Sequence, residues 1–161
     1  MELDILLLRE VVHALKRQGL MLATAESCTG GWVAQVITSV AGSSEWFERG
    51  FVAYTNLAKR EMLGVSTTTL SRYGAVSEQT ARAMAEGALT HSHAQVALAI
   101  TGIAGPSGGT PEKPVGTVCF AWAVKKRETI SRKQVFSGDR EAVRRQAVVK
   151  ALQGLLEYLN V

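Results

Sequence analysis

Residues 95–100 read Gln-Val-Ala-Leu-Ala-Ile, an apolar run that lies between a helical segment and a loop rich in glycine and proline. Such a run, with no polar alternation, is typical of a strand buried on both faces of a sheet that helices cover. Helical patterns alternate with apolar strands over the first two-thirds of the chain, and a hairpin follows. We therefore expect an α/β fold, a three-layer α/β/α sandwich on a mixed sheet, as one domain over residues 1–161.

Apolar spacing and capping residues predict the individual elements. A Gly/Pro-rich loop is expected over residues 101–116, and Ser43 and Ser44 are expected to cap a brief helical turn before Phe47. The predicted strands cover residues 20–25, 49–55, 95–100, 115–124 and 129–136. Three predicted helices cover residues 3–18, about 29–39 and 57–63, the last with Asn56 as its cap. A fourth is capped by Ser77 and runs to about Thr90. The fifth begins at Gly138-Asp139 and runs to about Leu159.

Composition narrows the class of protein. Hydrophobic residues make up 47% of the 161 residues and charged residues 20%, which is ordinary for a soluble globular protein. No apolar run reaches the roughly 20 residues of a membrane span, and the acidic start Met1-Glu2-Leu3-Asp4 is unlike a secretory signal. Cys28 and Cys119 are too few for a disulfide framework. These features predict a reduced, cytoplasmic protein with no membrane partner.

The net charge of +4 favours anionic ligands. Much of the excess lies in Lys125-Lys126-Arg127 and Arg132-Lys133, which we interpret as a solvated turn and strand face. No aromatic residues interleave with these charges, and no zinc-finger or RNA-recognition pattern is present, so no nucleic-acid partner is expected.

Residues 24–31, Thr-Ala-Glu-Ser-Cys-Thr-Gly-Gly, join an apolar strand to a helical stretch. A serine on a sharp strand-to-helix turn is how a nucleophile is held out of a packed sheet, and the helix start would aim N–H groups at a developing negative charge. Ser27 could also be a simple helix cap. The pair Gly30-Gly31, which costs roughly 1 kcal/mol per residue in a helix relative to alanine, favours a functional turn.

A serine nucleophile needs a base, and no histidine is well placed. His13 lies on the first helix, and His91 and His93 near the end of another, where they are weak evidence for a metal; no metal site is expected. Lys59, just past a strand end, is the remaining option. Its amine must lose roughly three pKa units to be neutral near pH 7.4, which burial can supply.

The other side chains near these two positions leave alternatives open. Tyr54 could bridge the Ser27 hydroxyl to the Lys59 amine or carry a proton between them. Lys59 could instead be a solvated helix residue, and Cys28, at the same helix N-terminus, is a rival nucleophile that lacks a histidine partner.

Two further segments are candidates for substrate binding. The loop from Thr101 to Gly116 has neither the Walker A nor the dinucleotide-binding pattern, but its Thr101-Gly102 start could donate N–H groups to an oxyanion or phosphate; a plain surface loop fits equally well. Arg140 and Arg144 lie on one face of the last helix, near its N-terminus, where two guanidinium groups would hold a phosphate or simply add surface charge.

Taken together, five motifs in this order closely resemble the CinA C-terminal domain family over essentially the whole chain. One such motif would be modest evidence, whereas five in order are highly specific. The motifs are Ala25-Glu-Ser-Cys-Thr-Gly-Gly31, Tyr54-Thr-Asn-x-x-Lys59, Thr101-Gly-Ile-Ala-Gly-Pro106, Lys113-Pro-Val-Gly-Thr117 and Gly138-Asp-Arg-x-x-Val-Arg144.

The resemblance implies hydrolysis of the carboxamide of nicotinamide mononucleotide to nicotinate mononucleotide and ammonia, which returns the nucleotide to NAD synthesis. It implies a phosphorylated pyridine nucleoside as the small-molecule partner, no metal or cofactor for this step, and a homodimer. It matches the family's serine nucleophile to Ser27, its lysine to Lys59 and its tyrosine to Tyr54. The candidate residues for holding substrate charge are Thr29, Gly30, Gly31, Thr101, Gly102, Gly105, Arg140 and Arg144.

The residues alone leave two other functions open. A nucleotide sensor or partner module would share the basic charge and the glycine-rich loop, and an amidase for another amide would share the serine and the lysine. Only the resemblance names the substrate.

Overall fold

The computed structural model describes residues 5–160, which form six α-helices around one five-stranded sheet. A short 3₁₀ turn at Ser43–Glu45 precedes the second strand. The strands are β1 (Leu22–Glu26), β2 (Phe47–Val52), β3 (Val96–Gly102), β4 (Thr117–Val124) and β5 (Ile130–Val135). The helices are α1 (Ile5–Gln18), α2 (Trp32–Thr38), α3 (Asn56–Leu63), α4 (Thr67–Tyr73), α5 (Glu78–Thr90) and α6 (Arg140–Leu159).

The sheet is mixed, as the sequence predicts. Its strand order is β2-β1-β3-β4-β5. Strands β2, β1 and β3 run parallel, whereas β4 and β5 are antiparallel to their neighbours. The carboxyl ends of three neighbouring strands therefore meet at one edge, which is where open α/β sheets bind ligands.

The two faces of the sheet carry side chains of different size. Large residues such as Leu98, Phe120 and Trp122 face α1, α2 and α6 in one buried cluster. Alanines at alternate positions, such as Ala97 and Ala121, face α5 and form a second cluster. Successive residues of a strand point to opposite faces, so this alternation produces a core on each side. The predicted three-layer α/β/α sandwich is confirmed.

The predicted caps of the two long helices α5 and α6 are confirmed. The Ser77 hydroxyl accepts the N–H of Thr80 at the start of α5, and Asp139 accepts the N–H of Ala142 at the start of α6. Both caps are the predicted ones.

Two other predictions about helix starts were wrong. Thr55 rather than Asn56 caps α3, because the Thr55 hydroxyl accepts the N–H of Ala58 and Asn56 is already the first helical residue. Helix α4, which Ser66 caps through the N–H of Thr69, was missed altogether. Its run of three threonines has low helix propensity.

Several predicted boundaries shift by a few residues. Strand β1 ends at Glu26 rather than residue 25, and β2 ends at Val52 rather than 55. Thr101 and Gly102 belong to β3, so the glycine-rich loop begins at residue 103. Ser43 and Ser44 were expected to cap the turn that they begin. Instead they lie within it, at Ser43–Glu45, and the cap position is Gly42, where no side chain makes a capping hydrogen bond. The first two residues of the predicted helix over 3–18 lie outside the described residues.

Helices α3 and α5 come unusually close at Gly87. A Cβ built on Gly87 would lie 1.9 Å from the carbonyl oxygen of Leu63, the last residue of α3. Main-chain atoms cannot yield as a flexible side chain can, so only glycine allows this contact.

We expect Gly87→Ala to lower the free energy of unfolding by about 1–3 kcal/mol, because the added methyl forces α3 away from α5. In a helix with free space at that position, the same change raises the free energy of unfolding by up to about 1 kcal/mol. The sign of the change in this free energy therefore tells whether α3 and α5 are in close contact at Gly87. Urea unfolding followed by circular dichroism measures it. Gln79→Ala, at an exposed position of α5, should change stability by less than about 0.5 kcal/mol. A stabilised Gly87→Ala variant would contradict the close packing.

Candidate active site

A cleft of about 440 Å³ opens at the carboxyl ends of β1, β2 and β3. The segments that follow these three strands converge there. The α4–α5 connection and Arg140 at the start of α6 complete the walls. The lining residues are Ser27, Cys28, Tyr54, Thr55, Asn56, Lys59, Ala75, Val76, Thr101, Gly102, Ile103, Ala104, Gly105, Ser107, Gly108 and Arg140.

Ser27 lies on a sharp turn between β1 and α2. Its N–H donates to the carbonyl oxygen of Ile100 at 2.9 Å, which continues the pairing of β1 with β3 past the strand end. The N–H of Gly30 then donates back to the carbonyl oxygen of Ser27 at 3.0 Å. Gly30 and Gly31 have φ of 61° and 100°, a backbone conformation that costs glycine nothing. The glycine pair thus belongs to the turn, and α2 begins at residue 32 instead of about 29.

Glu26 supports the turn that carries Ser27, a role that the sequence did not predict. The residue is only 1% exposed, and its carboxylate accepts the Thr29 hydroxyl at 2.6 Å, the N–H of Val33 at 2.9 Å and the N–H of Ala34 at 3.0 Å. It therefore satisfies the open N-terminus of α2 from within the strand. A carboxylate just before a helix whose cap position is glycine is the sequence signal that was available.

This arrangement corrects the expectation that the start of α2 aims N–H groups at a substrate charge. The N–H groups of Val33 and Ala34 bind Glu26, and that of Gly30 binds Ser27. None of these three is available to a ligand.

Lys59 and Ser27 meet inside the cleft. The Lys59 Nζ donates to Ser27 Oγ at 3.1 Å and to the main-chain carbonyl oxygen of Tyr54 at 3.0 Å. The Ser27 hydroxyl also lies 3.3 Å from that carbonyl oxygen. Nucleophile and base candidates are thus within the distance that proton transfer requires.

The surroundings of Lys59 disfavour its charged form. The residue is 2% exposed, and among the described residues no carboxylate forms an ion pair with it. Burial lowers the pKa of the Lys59 amine below its ordinary value, and the neighbouring Cys28 opposes this shift more weakly. The reading of Lys59 as a solvated helix residue is therefore wrong.

Tyr54 contributes to this contact through its main chain. Its carbonyl oxygen accepts from both Lys59 and Ser27, whereas its side chain is 57% exposed at the rim of the cleft. The hydroxyl accepts a hydrogen bond from Arg140 Nη2 at 3.3 Å. In this structure the Tyr54 hydroxyl does not bridge the serine and the lysine, as the sequence suggested it could.

Cys28 is unsuited to act as the nucleophile. Burial raises the pKa of its thiol to about 12, so the thiolate is scarce at neutral pH. The sulfur packs near Gly102 and belongs to the buried cluster on the α6 side of the sheet. Within residues 5–160, no group of histidine, cysteine or acidic side chains is arranged to hold a metal ion.

The two predicted phosphate-binding arginines have different surroundings. Arg140 lines the cleft, where its Nη1 donates to the carbonyl oxygen of Gly105 at 2.7 Å. Arg144 is not among the lining residues. Its Nε donates to the carbonyl oxygen of Cys28 at 3.0 Å and its Nη2 to that of Thr29 at 3.2 Å.

The remaining predicted binding residues divide in the same way. Thr101, Gly102 and Gly105 line the cleft, and the Thr101 hydroxyl donates to the carbonyl oxygen of Ala75 at 2.8 Å. Thr29, Gly30 and Gly31 lie in the turn behind Ser27 and do not line the cleft. Among the described residues, the cleft walls carry two basic side chains, Lys59 and Arg140, and no acidic one.

Comparisons with known proteins identify the family of this chain. A model of the CinA C-terminal domain matches residues 6–159. The nicotinamide-nucleotide amidohydrolase PncC of Escherichia coli strain K12 is 60% identical over 146 residues, which cover 91% of this chain and 88% of the relative. A CinA-like protein of Akkermansia muciniphila is 54% identical over 92% of this chain but only 36% of its own length.

Solved structures agree on the fold. The competence/damage inducible protein CihA of Agrobacterium tumefaciens has a TM-score of 0.94 and 48% identity, and the match covers 100% of both chains. Within the described residues, none of the helices is long and apolar enough to cross a membrane.

Burying the Lys59 amine should lower stability. We expect Lys59→Met to raise the free energy of unfolding at pH 7 by about 0.5–2 kcal/mol, because strain at functional sites is commonly relieved by such changes. The folded-state pKa lies below that of the unfolded chain, so native stability rises with pH between the two values and the advantage of the variant shrinks toward pH 10.5. Urea unfolding at pH 7 and pH 10 measures both effects.

Arg60→Met is the matched control, because Arg60 is exposed on the same helix and keeps its charge over this range. Its stability difference from the native chain should not depend on pH. A Lys59→Met variant that is less stable than the native chain at pH 7 would contradict the cost of burial.

Proposed function

The chain belongs to the CinA C-terminal domain family, and we propose that it hydrolyses the carboxamide of nicotinamide mononucleotide to nicotinate mononucleotide and ammonia. Relatives named as nicotinamide-nucleotide amidohydrolases are 52–60% identical to it over about nine-tenths of its length. That relationship makes it an amidase. The observation that carries the mechanism is the 3.1 Å contact between Lys59 Nζ and Ser27 Oγ in a cleft without carboxylates.

The reaction follows from this contact. Neutral Lys59 accepts the Ser27 hydroxyl proton while Oγ forms a bond to the carboxamide carbon, which becomes tetrahedral with a negatively charged oxygen. The Tyr54 carbonyl oxygen accepts an N–H of the resulting ammonium and holds it in place. The C–N bond then breaks, and Lys59 gives its proton to the departing nitrogen, which leaves as ammonia. Water hydrolyses the acyl-enzyme to nicotinate mononucleotide and restores Ser27.

The negatively charged oxygen needs donors from the protein. Because the N–H groups of Gly30, Val33 and Ala34 are already bound, we assign this role to the main chain at Thr101-Gly102, which lines the same cleft as Ser27. One such donor is worth roughly 3–4 kcal/mol in enzymes where it has been removed.

The phosphate end of the substrate is assigned to Arg140. Its guanidinium lies at the mouth of the cleft between Tyr54 and Gly105, and a guanidinium matches the geometry of a phosphate. From the family resemblance we also propose a homodimer that returns the nucleotide to NAD synthesis without a metal or cofactor. From the composition and the motifs of the sequence we propose a cytoplasmic protein with no nucleic-acid partner.

Ammonia release from nicotinamide mononucleotide should be abolished in both Ser27→Ala and Lys59→Arg. The first variant lacks the nucleophile. The second keeps the positive charge, but a guanidinium cannot accept the serine proton at neutral pH. A coupled ammonia assay measures turnover, and Cys28→Ala, next to the nucleophile, should keep most of it.

The control variant also separates the alternatives. Full activity in Ser27→Ala with loss in Cys28→Ala would move the nucleophile to the thiol. No release by the native chain would favour a nucleotide-binding module, and release only from other amides would favour a different amidase.

Arg140→Ala should raise KM for nicotinamide mononucleotide about 10- to 100-fold with little change in kcat, the loss expected for one charge-assisted contact to phosphate. For the same nucleoside without its 5′-phosphate, Arg140→Ala should have the same KM as the native enzyme. An equal rise for both substrates would place the phosphate elsewhere.

A further inference from the structure

Only one of the two arginines in the motif Gly138–Arg144 reaches the cleft. Arg140 lines it, whereas the Arg144 guanidinium points toward the turn that carries Ser27, residues 27–31. The two side chains are one helical turn apart on α6. Arg140 points into the cleft, and Arg144 contacts the turn that carries Ser27.

The contacts of Arg144 are with main-chain atoms. Two of its N–H groups donate to the consecutive carbonyl oxygens of Cys28 and Thr29, at 3.0 and 3.2 Å. Its guanidinium carbon also lies 5.4 Å from the centre of the Trp32 ring, in a cation–π arrangement at the first residue of α2. A planar fork of donors is suited to hold two acceptors in a fixed orientation.

These bonds fix the orientation of two peptide groups. In a planar trans peptide the carbonyl and the N–H point in opposite directions, so holding the Cys28 and Thr29 oxygens also fixes the N–H groups of Thr29 and Gly30. The N–H of Gly30 closes the turn onto the Ser27 carbonyl oxygen at 3.0 Å. Arg144 thus acts on the turn one residue beyond the nucleophile.

Glu26 holds the same turn from the other end. Its buried carboxylate accepts the Thr29 hydroxyl and the N–H groups of Val33 and Ala34 in α2, and no ion pair joins it to Arg144 within the described part of the chain. Thr29 is bound by both groups, through its hydroxyl and through its carbonyl oxygen. An anion and a cation therefore hold different atoms of one short, glycine-containing segment that has no regular secondary structure of its own.

We propose that Arg144 is a positioning residue that holds the Ser27 turn in register with Lys59, and that it does not bind the substrate phosphate. This inference rests on the proposed serine–lysine mechanism. A misplacement of about 1 Å at a reacting atom can cost on the order of 100-fold in rate, so loss of these bonds should appear in kcat.

The test compares Arg144→Ala with Arg145→Ala by steady-state kinetics on nicotinamide mononucleotide. We expect kcat to fall about 10- to 100-fold in Arg144→Ala while KM changes less than about threefold, the pattern of an interaction that matters in the transition state only. Arg145, the next residue, pairs with Glu141 at the surface, and its alanine variant should match the native enzyme.

Guanidinium chloride at tens of millimolar should restore kcat of Arg144→Ala several-fold, relative to sodium chloride at the same concentration, because a free guanidinium ion can occupy the vacated contacts. A general loss of structure would not be repaired in this way. Should Arg144→Ala fail to fold, Arg144→Lys serves instead. Its compact ammonium lacks the planar fork, so kcat should still fall more than KM rises.

Three results would overturn the proposal: kinetics unchanged from the native enzyme, no rescue by guanidinium, or a rise in KM larger than the fall in kcat. Failure of the proposed function looks different, because it would appear as an absence of ammonia release in the native enzyme and in Arg145→Ala as well.

Discussion

The proposed chemistry depends on an amine that is buried beside a hydroxyl, and among residues 5–160 no carboxylate forms an ion pair with it. An exposed lysine would remain protonated near neutral pH, and a lysine paired with a carboxylate would be held in the charged form. Lys59 is 2% exposed, and its amine donates to a hydroxyl and to a main-chain carbonyl oxygen. In the proposed mechanism, the free energy spent on that burial makes a base available to Ser27.

The sheet brings the two residues together from distant parts of the chain. Ser27 follows β1 and Lys59 follows β2, and these strands are parallel neighbours, so their ends lie at one edge. Packing then sets the finer distances. Helix α3, which carries Lys59, lies against α5 at Gly87, where there is no side chain to separate the two helices. The turn that carries Ser27 is bound by Glu26 from the strand and by Arg144 from α6. Each partner of the 3.1 Å contact is thus fixed by a different layer of the sandwich.

Much of this was predictable from the sequence, because it depends on local pattern. The apolar run at 95–100 predicts a buried central strand, the serine before a glycine pair predicts the sharp turn after β1, and Ser77 and Asp139 predict two helix starts. The short threonine-rich helix α4 was missed because its stability comes from tertiary packing and a serine cap more than from intrinsic propensity.

What the sequence could not give was the direction in which side chains point. The spacing of Arg140 and Arg144 places both on one helix face, yet one reaches the cleft and the other the main chain of a turn 116 residues away. Tyr54 was expected to act through its hydroxyl, but its carbonyl oxygen makes the contact with Lys59. Glu26 was overlooked because a carboxylate is usually exposed, and only the fold shows that its partners are N–H groups at the start of α2.

The central claim is that Lys59 loses its proton far more readily than an ordinary lysine, and it can be measured directly. In protein labelled with ¹³C at the lysine side chains, the Lys59 Cε resonance can be identified by its absence in Lys59→Met and followed with pH by NMR. We predict a pKa for Lys59 well below the value of about 10.4 that is ordinary for a lysine side chain. A Lys59 resonance that titrates at that ordinary value would contradict the central claim.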